Sequence, residues 1–329
     1  MRILVTGARG RVGRRLTDVL LDDGHTVVGL DLAPPTLATT GNLISIQAPL
    51  EDATAVAAAA GGVDAVIHLG ALMSWVEADA AKVFSANVTG TFNLLEAVAR
   101  QPLQRFIFAS SGEVYPEGKA QYLPVDEHHP RQPASHYGMS KLLGEEMVDF
   151  YRRRYGLPTT ILRFSHTQDA SELLDPESFF SGPRFFLRSK IRSLQARGDQ
   201  AALAVLQPLD NGHEQLVLSR GEDGTPYMMG ICETRDLIQG IVLALHTPSA
   251  VGETMGIGAD EPVCFEDAIA KMHDATGLPV VDARLPGPPV HYVTSNTKAR
   301  WLLGFRPEWD FDRMIDEAAV SWHERKGTS

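Results

Sequence analysis

Met1-Arg-Ile-Leu-Val-Thr-Gly-Ala-Arg-Gly-Arg-Val-Gly13 combines an apolar run with three regularly spaced glycines. Ile3-Leu-Val5 is typical of a buried parallel strand. The glycines form the pattern Gly7-x-x-Gly10-x-x-Gly13, and a helical spacing of apolar residues begins at Val12. A strand, a glycine turn and a helix in this order favour a phosphate site at the positive end of the helix dipole.

An acidic residue stands where the next strand of such a unit would end. Thr26-Val-Val-Gly-Leu30 has the composition of a strand, and Asp31 follows it, eighteen residues after Gly13. A carboxylate at this strand end suits the two hydroxyls of an adenosine ribose, and it would repel a 2′-phosphate. Arg9 and Arg11 act against that preference, because a glycine-loop arginine can hold a phosphate. We predict a dinucleotide site that prefers NAD over NADP; a plain strand–helix turn would explain the glycines but not Asp31.

The pattern of strands and helices divides the chain near residue 165. Before that point the two patterns alternate, which is typical of right-handed crossovers in a parallel, doubly wound sheet. We therefore predict an α/β, Rossmann-like domain over residues 1–165. Residues 166–329 are expected to form mainly a smaller C-terminal lobe that binds substrate, and single segments of it could return to the first domain. Helices are predicted at 184–197, 234–246, 265–276, 296–303 and 310–324.

Composition and charge restrict the classes of partner. The 329 residues carry a net charge of −11, which disfavours nucleic-acid backbones and anionic membranes. Cys232 and Cys264 give neither a disulfide framework nor the spacing of a metal site. No apolar run reaches membrane-spanning length, and the first strand pattern starts at residue 2 without a preceding signal peptide. We expect a cytoplasmic protein that acts on a small molecule, with no metal, nucleic-acid or membrane partner.

Two short motifs could carry chemistry. Tyr137-Gly-Met-Ser-Lys141 lies at the start of a long helical pattern, and its spacing places the phenol and the ammonium on one helix face. A nearby ammonium and a positively charged nicotinamide would favour the phenolate, which could remove a hydroxyl proton as hydride leaves the same carbon. Ser110-Ser111 follows the strand pattern Phe106-Ile-Phe108, where a ligand crevice is expected, and could hydrogen-bond the reacting oxygen. Each motif alone is also typical of an ordinary helix face or loop.

Taken together, these motifs resemble one family. The sequence is similar to the extended short-chain dehydrogenase/reductases, the NAD-dependent epimerase/dehydratase group, strongly over 1–165 and more loosely over 231–245 and 296–324. The resemblance implies a Rossmann fold, NAD as cofactor, a carbohydrate substrate, and a homodimer that pairs through the helices near 80–100 and 135–155. The matched segments are Thr6-Gly-x-x-Gly-x-x-Gly13, Asp31, His68-Leu-Gly-Ala71, Asn87, Gly90-Thr-x-Asn-Leu-Leu-Glu96, Ser111 and Tyr137-x-x-x-Lys141.

The resemblance also implies roles for individual residues. Tyr137 would be the catalytic acid/base, Lys141 would bind the nicotinamide ribose and tune Tyr137, and Ser111 would orient the substrate oxygen. Pro49 replaces an acid that the family usually has beside the adenine-contacting Leu50. The implied cofactor contacts are Gly7, Arg9, Gly10, Arg11, Val12, Asp31, Leu50, Leu69, Gly70, Ala71, Asn87, Tyr137, Lys141 and Phe164.

Departures from the family pattern bear on the substrate. Ser111-Gly-Glu-Val-Tyr115 resembles the segment in which sugar-nucleotide dehydratases and decarboxylases place a catalytic Glu, and Glu113 fits that place. Dehydratases carry an Asp where Gly112 stands, and glycine cannot protonate a leaving hydroxyl, so dehydration is disfavoured. His166 replaces a usual Asn and could touch substrate, since histidine titrates near neutral pH. A loop histidine without a role is the alternative.

The residue that holds a nucleotide diphosphate in relatives is also replaced. Nucleotide-sugar relatives carry an Arg seven residues before the acid of Arg235-Asp236, and Met229 stands at that position. Methionine cannot make the bidentate, charge-assisted bonds to phosphate that arginine makes. Arg184 or Arg188 could supply such a contact from another direction, or could belong to a solvated helix face. These features favour a small sugar or sugar acid over a UDP- or dTDP-sugar.

Several functions are compatible with these residues. We predict an NAD-dependent enzyme that oxidises a hydroxyl of a sugar or sugar acid with the help of Tyr137. It is an epimerase if the keto product is reduced again before release, and a net dehydrogenase if it is not. A nucleotide-sugar 4-epimerase or dehydratase is the alternative. A non-catalytic protein that senses NAD(P) would share the fold, but it would have no need of Ser111, Tyr137 and Lys141.

Overall fold

The computed structural model describes residues 1–34, 41–116 and 119–327, and these ranges form an α/β protein. Its strands make a large central sheet, a smaller sheet and a separate pair. The strands are β1 (Arg2–Thr6), β2 (Thr26–Asp31), β3 (Leu43–Gln47), β4 (Ala65–His68), β5 (Arg105–Ser111), β6 (Thr159–Phe164), β7 (His166–Gln168), β8 (Leu216–Arg220), β9 (Met228–Glu233), β10 (Thr254–Ile257), β11 (Pro262–Cys264), β12 (Val280–Arg284) and β13 (His291–Tyr292).

Helices pack on both sides of the central sheet and around the smaller one. A π-helical turn, Ser85–Thr89, joins α3 to α4, so the predicted long helix near 80–100 is distorted in its middle. None of the described helices combines the length and apolar character that crossing a membrane requires. The helices are α1 (Arg11–Asp22), α2 (Ala53–Ala60), α3 (Ala80–Phe84), α4 (Gly90–Val98), α5 (His136–Tyr155), α6 (Ser181–Phe185), α7 (Leu187–Arg197), α8 (Gln200–Leu206), α9 (Thr234–His246), α10 (Phe265–Thr276), α11 (Thr297–Leu303) and α12 (Phe311–Gly327).

The central sheet confirms the predicted doubly wound fold. Seven strands of the described residues form it, all parallel, in the order β10-β6-β5-β4-β1-β2-β3. Ile3, Leu4 and Val5 are fully buried because helices cover both faces of the sheet. The strand order reverses beside β1, and such a reversal opens a crevice at the carboxyl ends of the strands. The residues that follow β1, β4 and β5 therefore surround one crevice.

The second half of the chain contributes to the central sheet as well as to a smaller unit. β10 pairs with β6, and α9 packs in the same apolar core as α1. β7, β9, β11 and β13 form the second sheet, β8 pairs with β12, and α10 and α12 share a core with them. The division of the chain at residue 165 remains our proposal, in which α9 and β10 belong with the first domain.

The prediction of a single helix over residues 184–197 is wrong. Two helices, α6 and α7, are present, and Phe186 separates them. Phe186 has an extended backbone (φ −112°, ψ 127°), is fully buried and forms a β-bridge with Leu216 of β8. Burial of this ring against β8 outweighs the helical pattern of its neighbours.

Candidate active site

The turn between β1 and α1 is packed so closely that two of its positions exclude any side chain beyond glycine. Gly7 has a φ of +67°, and a Cβ there would lie 2.8 Å from Gly70 Cα. A Cβ on Gly13 would lie 2.0 Å from Gly7 O, so glycine is what allows α1 to rest on β1. Gly10 precedes α1, and in the described residues no side chain caps this helix. An uncapped helix N-terminus in a glycine turn fits the pyrophosphate of a dinucleotide.

Asp31 is held in a fixed orientation at the carboxyl end of β2. Its Oδ2 accepts a hydrogen bond from Arg9 N at 2.8 Å, and its Oδ1 accepts one from Ala33 N at 2.9 Å. Each carboxylate oxygen can accept more than one hydrogen bond. The side chain therefore retains the capacity to bind the hydroxyls of an adenosine ribose.

A cavity of about 240 Å³ extends from the glycine turn to the ends of β4, β5 and β6. Arg9 and Asp31 line a second cavity of about 230 Å³ beside α1 and β3. Leu50 lies behind the loop that follows β4, in contact with Gly70 and Gly90. The predicted site residues that line the first cavity are Gly7, Gly10, Arg11, Val12, Leu69, Ala71, Ser111, Glu113, Tyr137, Lys141, Phe164 and His166.

Ser111, Tyr137 and Lys141 meet at the end of β5. Helix α5 begins just before Tyr137 because Ser135 caps it, its Oγ accepting from Gly138 N at 2.9 Å. The buried Tyr137 hydroxyl is hydrogen-bonded to the Ser111 side chain. Lys141 Nζ donates to Ala109 O at 2.8 Å and lies 5.7 Å from the centre of the Tyr137 ring. The three groups are thus close enough to act on one substrate oxygen.

Burial dominates the proton affinities of this set. It raises the pKa of Tyr137 well above the usual range, the Glu113 carboxylate acts in the same direction, and the hydrogen bond with Ser111 opposes both. Burial also lowers the pKa of the Lys141 ammonium to about 8, against an opposing effect of Glu145. The phenol is therefore protonated at neutral pH in this arrangement, in which the ammonium binds a carbonyl oxygen. The lowering of the Tyr137 pKa that we expect from Lys141 does not outweigh burial here.

Asn87 fixes the loop after β4 to helix α5. Its Nδ2 donates to Leu72 O at 3.0 Å and to Ser140 Oγ at 2.9 Å, and its Oδ1 accepts from Leu72 N at 2.7 Å. Ser140 directly precedes Lys141 in α5. The buried amide thus holds the loop after β4 against the part of α5 that carries Tyr137 and Lys141.

His68 connects β1 to the same loop. Its ring is hydrogen-bonded to Thr6 Oγ1 at 2.6 Å and to Thr91 Oγ1 at 2.9 Å, and Gly70 N donates to Thr6 Oγ1 at 3.0 Å. Burial, followed by the charge of Lys141, lowers the pKa of His68 to about 3. A neutral His68 therefore holds the loop in place over the whole physiological pH range.

Two aromatic residues, Trp75 and Tyr292, belong to the site although they were not predicted from the sequence. Trp75 lines the cavity, and its Nε1 donates to both carboxylate oxygens of Glu113 at 3.1 Å. Tyr292 Oη donates to Gly112 O at 2.7 Å, and a Cβ on Gly112 would lie 2.4 Å from that hydroxyl. Trp75 lies shortly after β4, so its position near a strand end was a usable signal. Tyr292 follows no motif, and only the fold brings it to the site.

The candidate substrate residues fall into two groups. Glu113 accepts from Ser135 Oγ at 2.7 Å and faces the cavity, and His166 lines it beside the Tyr292 ring, with centroids 5.6 Å apart. Arg184 donates to Gln168 Oε1 at 2.9 Å. Arg188 is exposed and lies 3.8 Å from Asp210. Of these four predicted residues, Glu113 and His166 line the cavity and the two arginines do not.

A parallel sheet with a glycine turn, joined to a serine, a tyrosine and a lysine in one cavity, is an arrangement that suits a dinucleotide-dependent enzyme. Residues 3–181 match the model of the NAD dependent epimerase/dehydratase family, and the chain belongs to that family. This confirms the family predicted from the sequence.

Comparison with solved structures and curated proteins identifies similar chains. A short-chain dehydrogenase/reductase superfamily protein from Agrobacterium tumefaciens, solved with bound NAD, is 49% identical over 100% of this chain and 99% of its own, with a TM-score of 0.95. A uronate dehydrogenase from Pseudomonas syringae is 39% identical over 163 residues, which are 49% of this chain. A putative UDP-glucose 4-epimerase from Methanocaldococcus jannaschii is 37% identical over 186 residues, which are 53% of this chain. Each of these two alignments spans 58% of the curated relative's length.

Proposed function

We propose that the protein is an NAD-dependent oxidoreductase or epimerase that acts on a hydroxyl of a small sugar or sugar acid. The observation that carries this proposal is the single cavity lined both by the glycine turn and by Ser111, Tyr137 and Lys141. A dinucleotide on the turn and a substrate hydroxyl at Tyr137 would then be neighbours. A protein that only senses NAD(P) would not require this set of side chains.

The side chains have distinct parts in the proposed reaction. Bound NAD would accept a hydride from the carbon that carries the hydroxyl. In its phenolate form Tyr137 removes the hydroxyl proton, Ser111 holds the same oxygen by a hydrogen bond, and the Lys141 ammonium stabilises the phenolate electrostatically. Because burial raises the pKa of Tyr137, this proton transfer depends on positive charge close to the phenol.

Asp31 supports NAD rather than NADP as the cofactor. Its carboxylate is fixed by two backbone N–H groups at the end of β2, where an adenosine ribose is expected. A negative charge fixed at that place would repel a 2′-phosphate. The related structure from Agrobacterium tumefaciens, which contains NAD, supports the same choice.

The packing around the substrate side supports a small substrate. Met229, which stands at the position of the phosphate-binding arginine of nucleotide-sugar relatives, is buried in the core of the second sheet. The Tyr292 hydroxyl occupies the space that a side chain at Gly112 would need, so an acid at that position has no room. Both observations weigh against a nucleotide-sugar dehydratase. The similarity to a uronate dehydrogenase favours a sugar acid, and the putative UDP-glucose 4-epimerase keeps the nucleotide-sugar 4-epimerase as the second candidate.

A substrate screen tests the function. Sugars, uronates, singly phosphorylated sugars, UDP-sugars and dTDP-sugars are each incubated with enzyme and NAD, and NADH absorbance and product stereochemistry are followed together. Net NADH from a small sugar or sugar acid identifies a dehydrogenase, and inversion without NADH identifies an epimerase. Turnover of nucleotide sugars alone would overturn the small-substrate proposal, and NAD binding without turnover of any of them would favour a sensor.

We also propose a homodimer in the cytoplasm. Large apolar side chains are exposed on the helices that the resemblance implies as the dimer faces, and a partner copy would cover them. Light scattering of the purified protein checks the oligomeric state, and a monomer at micromolar concentration would contradict the homodimer. The exposed side chains on these helices are Phe84, Phe92, Met139, Leu143 and Phe150.

The two cysteines bear on the proposed compartment. Cys232 and Cys264 are both free, which suits a reducing compartment.

A further inference from the structure

A buried ion pair lies directly behind the strand end that carries Ser111. Arg163 on β6 binds Glu145 on α5 through two parallel hydrogen bonds, from Nε to Oε1 at 2.8 Å and from Nη2 to Oε2 at 2.7 Å. Only 2% of the Glu145 side chain and 6% of the Arg163 side chain are exposed. Removing two charges from water is costly, and buried hydrophobic residues of similar volume are often at least as stabilising. Stability alone is therefore a weak explanation for a pair at this place.

Glu145 also contacts the strand that leads into the site. Ser110 Oγ donates to Glu145 Oε1 at 2.6 Å, and Arg131 Nη1 donates to Oε2 at 3.2 Å. Arg163 in turn donates to Tyr115 Oη at 2.6 Å. One carboxylate thus joins α5 to β5, to β6 and to the segment after β5. Ser110, its partner on β5, is the residue before Ser111.

Lys141 and Glu145 hold the same strand end. They are one turn apart on α5, and Lys141 Nζ donates to the carbonyl of Ala109, which precedes Ser110. Glu145 raises the pKa of Lys141, against the larger effect of burial, which brings it to about 8. Other titratable and charged groups near this pair are Tyr137 on the same helix, His68 on β4, Arg163 on β6, Tyr115 after β5, and Glu127 and Arg131 in the segment before α5.

We propose that Glu145 is a positioning residue for hydroxyl oxidation, because it fixes the end of β5 against α5 so that Ser111, Tyr137 and Lys141 meet. The proposal rests on the proposed function, in which these three residues act together. The negative charge of Glu145 has a second effect, since a carboxylate one turn from the buried Lys141 ammonium stabilises the charged form of that ammonium. Geometry and charge at the catalytic set then depend on one side chain that never touches substrate.

Glu145→Gln and Glu146→Gln form a matched pair of variants. Both remove one negative charge from α5, and both residues bind Arg131, but Glu146 is exposed and bonds to it at 2.7 Å. The Lys141 titration is followed by NMR in the full chain with labelled lysine, and Lys141→Arg identifies the signal. We expect Glu145→Gln to lower the Lys141 pKa by about one pH unit. Glu146→Gln should leave it unchanged.

Catalysis gives the second measurement, with the substrate found in the screen. In Glu145→Gln the alkaline limb of the kcat/KM profile should move to lower pH, because Lys141 loses its proton earlier. We also expect kcat to fall by roughly 10- to 100-fold through misalignment, with little change in the KM for NAD. Glu145→Asp retains the charge with a shorter reach, so it should keep the Lys141 pKa and still lose kcat. The NMR titration needs no substrate, so a failure of the proposed function leaves this test intact.

Several results would overturn the proposal. One is a folded Glu145→Gln protein with the Lys141 pKa and pH profile of the wild type. Another is an equal shift in Glu146→Gln. If Glu145→Gln does not fold, Ser110→Ala takes its place, since that variant keeps the ion pair and removes only the bond to β5. A several-fold lower kcat in Ser110→Ala supports positioning through β5, and a wild-type kcat contradicts it.

Discussion

The cofactor side and the substrate side of the cavity are built over very different sequence distances. The cofactor side, Gly7–Gly13 with Leu69–Ala71, depends on backbone geometry within a few residues and on one close approach between the two segments. The substrate side, which comprises Trp75, Glu113, His166 and Tyr292, depends on contacts between residues as far as 180 positions apart. Short-range geometry leaves a clear mark in the sequence, whereas a side-chain contact across the fold, such as that of Tyr292 with Gly112, leaves none. We expect variants of the first region to change cofactor binding and variants of the second to change the choice of substrate.

The largest loss of kcat is expected for changes at Tyr137, where the cofactor side and the substrate side of the cavity meet. Tyr137→Phe retains the packing of the ring and loses the group that transfers the proton. General acid–base assistance is typically about 10²- to 10⁴-fold, and we expect kcat to fall by that factor while NADH still binds in a fluorescence titration. Tyr155→Phe on the same helix is the control. A Tyr137→Phe enzyme within a few-fold of the wild type would assign the base to another residue.

Gly112→Asp changes the substrate side of the cavity and leaves the cofactor side intact. Its Cβ would lie 2.4 Å from the Tyr292 hydroxyl, so the strand end or Tyr292 must move. We expect a loss of roughly 100-fold in kcat/KM, an unchanged NADH affinity and no dehydratase activity. The double variant with Tyr292→Gly, which removes the clash, should recover part of kcat/KM. Equal activity of Gly112→Asp and the wild type would show that Tyr292 does not shape the site.

Asp31→Asn changes the cofactor side and leaves the substrate side of the cavity intact. Loss of the carboxylate weakens the expected bonds to the ribose hydroxyls and removes the repulsion of a 2′-phosphate. NADH affinity should fall about tenfold because one charge-assisted hydrogen bond is lost, while NADPH affinity rises or stays the same. Asp23→Asn at the exposed end of α1 serves as the control. Tighter binding of NADPH than of NADH by the wild type would contradict the assignment of NAD.

The smallest effect concerns the stability of the second half of the chain, which supplies Tyr292 to the substrate side. Lys190 on α7 is buried, and burial, with the charges of Arg184 and Arg197, lowers its pKa to about 7. Between that value and the unfolded value of 10.5 the unfolded chain binds more protons, so this group makes the fold more stable as pH rises from about 7 to about 10.5. Lys190→Met removes this dependence. Its Tm should exceed that of the wild type by a few degrees at pH 6.5, and the difference should shrink at pH 9. A Tm difference between Lys190→Met and the wild type that is the same at pH 6.5 and pH 9 would contradict the lowered pKa of Lys190.

The same contrast explains what could be predicted from the sequence. The doubly wound sheet and the glycine turn follow from local periodicity and spacing, whereas the Tyr137–Lys141 pair was singled out only when its spacing was combined with the family resemblance. The break between α6 and α7 does not follow from local periodicity, because burial of Phe186 against β8 decides it. Trp75 and Tyr292 carry no motif of their own, since their roles come from partners that are distant in the chain. Asn87 was singled out by the family resemblance, but the π-helical turn that contains it was not predicted.

The hydrogen bond from Tyr292 to Gly112 also bears on the order in which the protein can become active during its synthesis. The first six strands of the central sheet are complete once residue 164 has been made, but β10 is made some ninety residues later and Tyr292 later still. Domains generally fold as units as the chain emerges, with the N-terminal one first. A nascent chain that ends before Tyr292 therefore contains the glycine turn, Ser111, Tyr137 and Lys141 while one wall of the cavity is missing. Cofactor binding can precede substrate selection, and it can stabilise the early part of the chain while the remainder is being made.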